Sequence, residues 1–125
     1  MGLEVLYEDN HLIVVNKRSG DLVQGDKTGD KPLSEMVKEY IKVKYNKPGE
    51  VYLGVAHRID RPTSGIVIFA RTSKALTRLN KMFQDKEIQK TYWAVVQNVP
   101  EAESAVLTHW LKRNTQQNKS YAHYK

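Results

Sequence analysis

The 125-residue chain contains no cysteine, which excludes disulfide bonds, thiolate nucleophiles, iron–sulfur clusters and cysteine-based zinc sites. Its four histidines (His11, His57, His109 and His123) show neither HxH nor HExxH spacing, so no metal site is expected. No apolar run approaches the roughly 18 to 20 residues needed to span a bilayer. The opening MGLEVLYEDN also lacks the basic-then-apolar layout of a signal peptide, and a cytoplasmic location is the expectation. Internal repeats and low-complexity tracts are absent. Acidic residues are in the minority, 14 against 20 Lys and Arg, for a net charge of +6.

What is present fits an ordinary globular chain. With 40% hydrophobic and 27% charged residues, a single domain over residues 1–125 with a real core is the expectation. The basic excess favours a polyanionic partner, and its placement says more than its size. Residues 57–92 hold eight basic residues against three acidic ones, and the rest of the chain is nearly neutral.

Residues 4–8 (EVLYE) and 11–16 (HLIVVN) are β-rich runs around Asp9-Asn10 and predict a hairpin. A long polar loop follows to Lys31. Pro32 then suits the first turn of a helix that carries Leu33, Met36, Val37, Tyr40 and Ile41 on one face and stops at NKPG. A short apolar run, 51–56, leads into the polar cluster HRIDRPTSG (57–65), after which the unbroken IVIFA reads as a strand buried on both faces. Thr72 or Ser73 can cap a helix through about Gln84. Its inward set is Ala75, Leu76, Leu79, Met82 and Phe83, and Lys74, Arg78 and Lys81 make a basic stripe on the other side. TYWAVV (91–96) and residues 105–111 are further strand candidates, and the tail RNTQQNKSYAHYK has no clear period. The order of elements indicates one mixed α/β domain of α+β type.

A polar, charged, turn-forming segment between two buried runs is where a scaffold presents groups to a ligand. HRIDRPTSG is the best such segment. Its Asp60 lies between Arg58 and Arg61, and neighbouring cations favour the ionised carboxylate, which suits a nucleophile or base. The plainer reading is a turn aspartate making local ion pairs beside Thr63, Ser64 and Gly65.

HRIDRPTSG closely resembles the catalytic loop of the RluA-type pseudouridine synthases, enzymes that isomerise uridine in ribosomal and transfer RNA and carry H-R-[LI]-D-x-x-[TS]-S-G. VLYEDNHLIVVNK is similar to that family's opening hairpin, IVIFARTSKA to the strand and helix start after the loop, and Lys90-Thr91-Tyr92-Trp93-Ala94 to its K-x-Y-x-A strand. The resemblance spans about residues 4–97. It departs from the family at Arg18, where Pro is frequent after Asn-Lys, which is expected to alter only a turn. The family's later T-G-R-x-H-Q-[IL]-R motif, source of a basic active-site residue and of sheet closure, does not occur before Lys125.

The resemblance implies a largely antiparallel mixed sheet with flanking helices, the front part of a synthase catalytic domain, and an RNA substrate. It implies no cofactor, and the 125-residue chain alone is expected to be inactive. Asp60 takes the catalytic position. Arg58 is placed to hold a phosphate or fill the space of a flipped nucleotide, or merely to orient Asp60. Tyr92 matches the family's active-site tyrosine, with a core tyrosine as the plainer alternative. His57 is expected to brace the loop. Arg61, Arg71, Lys74, Arg78 and Lys81 are candidate RNA contacts, against the alternative of a solvated charged face. The tryptophans and tyrosines show no regular interleaving of the kind that marks a single-strand stacking platform. The competing function is a noncatalytic RNA-binding module that keeps part of the fold. A hydrolase or nuclease would need a paired-carboxylate metal site or a Ser-His-Asp set, and neither is visible.

Overall fold

The computed structural model describes residues 2–124. One side chain sets the first turn: Asp9 Oδ1 accepts the amides of His11 and Leu12, both at 2.8 Å, the local bonding that makes aspartate a turn former. The chain reverses there between β1 (Glu4–Glu8) and β2 (Leu12–Lys17), which pair antiparallel. Along β2 the two-residue period buries Ile13, Val15 and Lys17 on one face.

Pro32, which has no amide to lose, precedes α1 (Leu33–Lys44). Leu33, Val37 and Ile41 recur at helical spacing and are buried against Ile13, Val15, Val67 and Phe69. Next come β3 (Gly54–Val55), β4 (Gly65–Ala70) and α2 (Ser73–Gln84). Thr72 caps α2 by accepting the Ala75 amide at 3.1 Å, a bond of the kind that contributes about 1 kcal/mol. The sheet order is β1-β2-β4-β3, and every ladder is antiparallel. Ala75 and Leu79 of α2 pack with Leu12, Ile68 and Ala70, the strand positions whose side chains point away from α1. The two helices therefore cover opposite faces of the sheet. A Cβ on Gly54 would meet Leu76 at 2.9 Å, so glycine is what lets α2 lie this close to β3. Mixed α/β structure with a largely antiparallel sheet and flanking helices is as the sequence predicts.

The details depart from expectation in three places. β4 is covered on both faces only at the end that α2 reaches, and Ile66, beyond it, is 60% exposed. Met82 of α2 faces solvent rather than the core. Residues 91–96 form no strand, because a β-prone run becomes one only when another strand takes its amides and carbonyls, and none among the described residues pairs with it. Strands appear instead in the tail, where β5 (Trp110–Asn114) and β6 (Lys119–His123) make a hairpin. Asn114 Oδ1 accepts the Gln117 amide at 3.0 Å and Asn118 takes φ 53° in its turn. These exposed strands lack the apolar alternation that betrays a half-buried strand. The chain divides into two compact units, Met1–Lys90 and Thr91–Lys125. No described helix is long and apolar enough to cross a membrane.

Candidate active site

Residues 57–65 connect β3 to β4 and are irregular, so their backbone groups need partners from elsewhere. Lys17 supplies one such partner and links the loop to the turn after β2. Its position follows from the strand period, which carries the Ile13 and Val15 face one step further and buries the lysine to 1% exposure. The ammonium donates to the carbonyls of Asp21 at 2.7 Å, Arg18 at 2.9 Å and Arg61 at 3.0 Å. Burial pushes its pKa down. The Asp21 carboxylate opposes that, the Arg61 guanidinium adds to it, and the Asp60 carboxylate opposes it again. Lys17 thus ties β2, the turn after it and the loop together at one atom.

Arg61 completes the anchorage. Its carbonyl accepts the Gly20 amide at 2.8 Å, its Nε donates to the Gly20 carbonyl at 2.8 Å, and its terminal nitrogen reaches Asp30 at 2.6 Å. Asp30 raises the guanidinium's pKa and keeps it charged. Arg18, at the position where proline is frequent in the resembled family, opens the neighbouring turn and pairs with Asp21 at 3.2 Å.

At the other end His57 holds the loop to the sheet. β3 ends at Val55, and the next amide on that edge of β4, Ile68 N–H, is taken by His57 Nε2 at 3.0 Å. The ring stacks on Phe83 of α2 at 4.7 Å between centroids. Burial lowers its pKa, with a smaller push from Lys90, which favours the neutral ring that an acceptor nitrogen requires. His57 is the loop brace the sequence suggests. At the loop's exit Gly65 takes φ +141°, a backbone state that side chains disfavour.

Between these anchors burial alternates, with His57 and Ile59 partly covered and Arg58 and Asp60 exposed. Asp60 heads a turn in which its carbonyl accepts the Thr63 amide at 2.9 Å. Neither the Arg58 guanidinium nor the Asp60 carboxylate has a hydrogen bond or ion pair among the described residues. The sequence expectation that both arginines attend Asp60 therefore does not hold: the Arg61 guanidinium turns to Gly20 and Asp30, and Arg58 makes no ion pair with the carboxylate. The cation held in the loop's base is Lys17. It was legible as the residue in phase with Ile13 and Val15, but a lysine at a strand end is ordinarily read as exposed.

The basic set divides in the same way. Arg71 donates to the Asp9 carbonyl at 2.6 Å and lies 4.3 Å from the Tyr45 ring, holding the β1–β2 turn. Lys81 pairs with Asp85 at 3.1 Å. Lys74 and Arg78 are exposed on α2 with no ion pair among the described residues. Tyr92 belongs to the second unit and is 61% exposed.

The model of the RNA pseudouridylate synthase family matches residues 11–125, which contain this loop and both its anchors. The chain belongs to that family. It is 36% identical over 110 residues to the ribosomal large subunit pseudouridine synthase C of Vibrio cholerae, covering 88% of this chain and 33% of that one. With the tRNA pseudouridine synthase C of the same organism it shares 36% identity over 110 residues, covering 88% of this chain and 43% of the relative. The chain thus spans less than half the length of these synthases. Among solved structures, human RNA pseudouridylate synthase domain containing 4 aligns with a TM-score of 0.57 and 23% identity, over 67% of this chain and 30% of that one, a likeness of fold.

Proposed function

We propose that this chain is the aspartate-bearing front part of an RNA pseudouridine synthase that isomerises specific uridines in structured ribosomal or transfer RNA, with no cofactor. The observation that carries the reading is Asp60: an exposed carboxylate without a partner among the described residues, on a loop whose backbone is fixed from both sides. A group that must reach a substrate atom gains from being held without being occupied.

Pseudouridine formation breaks the bond between ribose C1′ and uracil N1, turns the base and rejoins it through C5, which then loses its proton while N1 ends with one. A carboxylate serves this chemistry by attacking the sugar or by removing a sugar proton. The base must leave the stack to be reached, and Arg58 beside Asp60 is suited to a phosphate or to the vacated space. Tyr92 is assigned the stacking of the uracil ring, with its hydroxyl in proton transfer. Arg61, Arg71, Lys74, Arg78 and Lys81 form the basic surroundings. Lys74 and Arg78 are the ones free to neutralise phosphates, Lys81 is shared with Asp85 on the same helix, and Arg61 and Arg71 act chiefly by holding the scaffold.

The test is Asp60→Asn in the complete protein, a nearly isosteric change that removes the charge. Tritium release from RNA containing 5-tritiated uridine should be abolished, while the melting temperature and RNA affinity stay at wild-type values. Substantial turnover by the variant overturns the assignment. RNA binding without any release by the wild-type protein would favour a noncatalytic module.

A further inference from the structure

The hairpin of β5 and β6 brings together residues that lie apart in sequence. Its opposed pairs are Trp110 with His123, Leu111 with Ala122, Lys112 with Tyr121, Arg113 with Ser120, and Asn114 with Lys119. Directly opposed residues share a face and the faces alternate along a strand. One face therefore presents Trp110, His123, Tyr121, Lys112, Lys119 and Asn114: three rings and two lysines in successive rows about 7 Å apart. Leu111 and Ala122 fall on the other side. Trp110 is 68% exposed and Tyr121 44%. An open depression on the hairpin is bordered by Lys112, Asn114, Tyr121 and His123. From 109 to 124 the chain has Lys112, Arg113 and Lys119 and no acidic residue. The interleaving of rings and cations missing from the linear order is produced by the cross-strand register.

We propose that this face of the hairpin binds unpaired RNA, with bases stacking on Trp110 and Tyr121 and phosphates held by Lys112 and Lys119. It rests on the reading of the chain as part of an RNA enzyme and adds which part of the RNA this segment takes. Charge complementarity selects the occupant, since a purely basic face with lysines between its rings suits a polyanion with flat apolar bases better than an apolar protein surface. Unpaired nucleotides are specified because bases must be unstacked to lie on protein rings, whereas a duplex offers only its backbone and a shallow groove.

The experiment uses the 125-residue chain with Trp93→Phe, which leaves Trp110 as its one tryptophan. A labelled ten-nucleotide RNA without self-complementarity is compared with the same sequence as a duplex. Adding the single strand should quench Trp110 fluorescence. Trp110→Leu with Tyr121→Leu should weaken single-strand binding about tenfold or more and leave duplex binding nearly unchanged. Trp110→Phe with Tyr121→Phe, which keeps the rings, should retain most of the affinity and so separates stacking from hairpin collapse. Lys112→Gln with Lys119→Gln should flatten the salt slope for the single strand by about 1.4. Absence of quenching, or equal losses in the leucine and phenylalanine pairs, overturns the proposal. So does Trp110 emission that shifts to the blue with rising chain concentration alone, since the face would then be covered by a second copy. Asp60→Asn should show the same quenching. If Asp60→Asn keeps turnover in the complete protein while the quenching pattern holds, the synthase chemistry fails and the hairpin site stands. The reverse pattern removes the hairpin alone.

Discussion

The charged side chains of the 57–65 loop and of the basic segments that flank it fall into two groups, and the fold treats them in opposite ways. On the side facing residues 17–30, Lys17 and Arg61 are committed to carbonyls and to Asp30, and no polar side-chain atom buried among the described residues lacks a partner. By contrast Arg58 and Asp60 on the loop, and Lys74 and Arg78 on α2, stand exposed and have no ion pair among the described residues. The basic excess of this region is therefore not one property. Part of it is structural, stiffening an irregular loop with charge-assisted bonds, and part is presented to solvent, where it can meet a substrate. Substitutions on the first side should act on folding and those on the second on function.

Lys17→Met should produce the largest effect. Methionine fills nearly the same volume but leaves the Asp21 carbonyl without its donor and takes one of two donors from the carbonyls of Arg18 and Arg61. The expected loss is about 3 kcal/mol of unfolding free energy. Turnover of the complete protein should fall by about a hundredfold even under conditions where it stays folded, because the loop loses its fixed position. Urea unfolding beside the tritium-release assay tests both. Wild-type stability in the variant would show that the buried ammonium is not the anchor.

The two arginines flanking Asp60 sharpen the comparison. Arg58→Gln is expected to leave the melting temperature unchanged and to lower turnover by about a hundredfold, the usual scale for removal of a charge-stabilising donor. Arg61→Gln should lower the melting temperature and affect turnover less, since Gly20 and Asp30 lose their partner. The reverse pattern would break the division into holding and presented charges.

The functional loop was legible because its residue types are dense and unusual, and the core because Ile13, Val15, Leu33, Val37, Ile41, Val67 and Phe69 follow clean periods. The partnership of Arg61 was not legible. Asp60 lies next to it in sequence, whereas Gly20 and Asp30 are brought to it by tertiary structure. The candidate strand at 105–111 reaches β5 only at Trp110 and Leu111 and β6 was not expected, because exposed strands carry no burial pattern, and the 91–96 run was over-read because β propensity does not supply a neighbouring strand. Lys17 sat in plain view, but its burial depends on carbonyls contributed by two loops.

His57 gives a smaller, pH-dependent effect. Its folded pKa lies below the ordinary 6.5 because burial of the ring disfavours the charged form, with a smaller push from Lys90. Above the unfolded value the ring is neutral in both states and its contribution is complete. As pH falls below 6.5 the unfolded chain takes up a proton that the folded ring resists, and stability drops until the folded pKa is passed. Melting temperatures measured from pH about 7.5 down to about 5 should decline, and His57→Gln should remove much of that decline. An identical pH profile in the variant would place the titrating group elsewhere.

The smallest expected effect lies on the outward face of α2, and it tests whether presented charge is used charge. Lys74 and Arg78 have no ion pair among the described residues, Lys81 is shared with Asp85, and Arg71 is committed to Asp9 and Tyr45. If the face neutralises phosphates, Lys74→Glu with Arg78→Glu should weaken RNA binding and reduce the slope of log affinity against log salt by about 0.7 to 0.9 for each phosphate no longer neutralised. Lys81→Gln should change it less, because its ammonium is already partly neutralised. Arg71→Gln should leave the slope alone and lower the melting temperature, since its bond to the Asp9 carbonyl supports the first hairpin turn. Titrations at several salt concentrations beside thermal melts separate these outcomes. A slope unchanged in the double variant would return Lys74 and Arg78 to an ordinary solvated helix face and leave RNA binding to the loop and the β5–β6 hairpin.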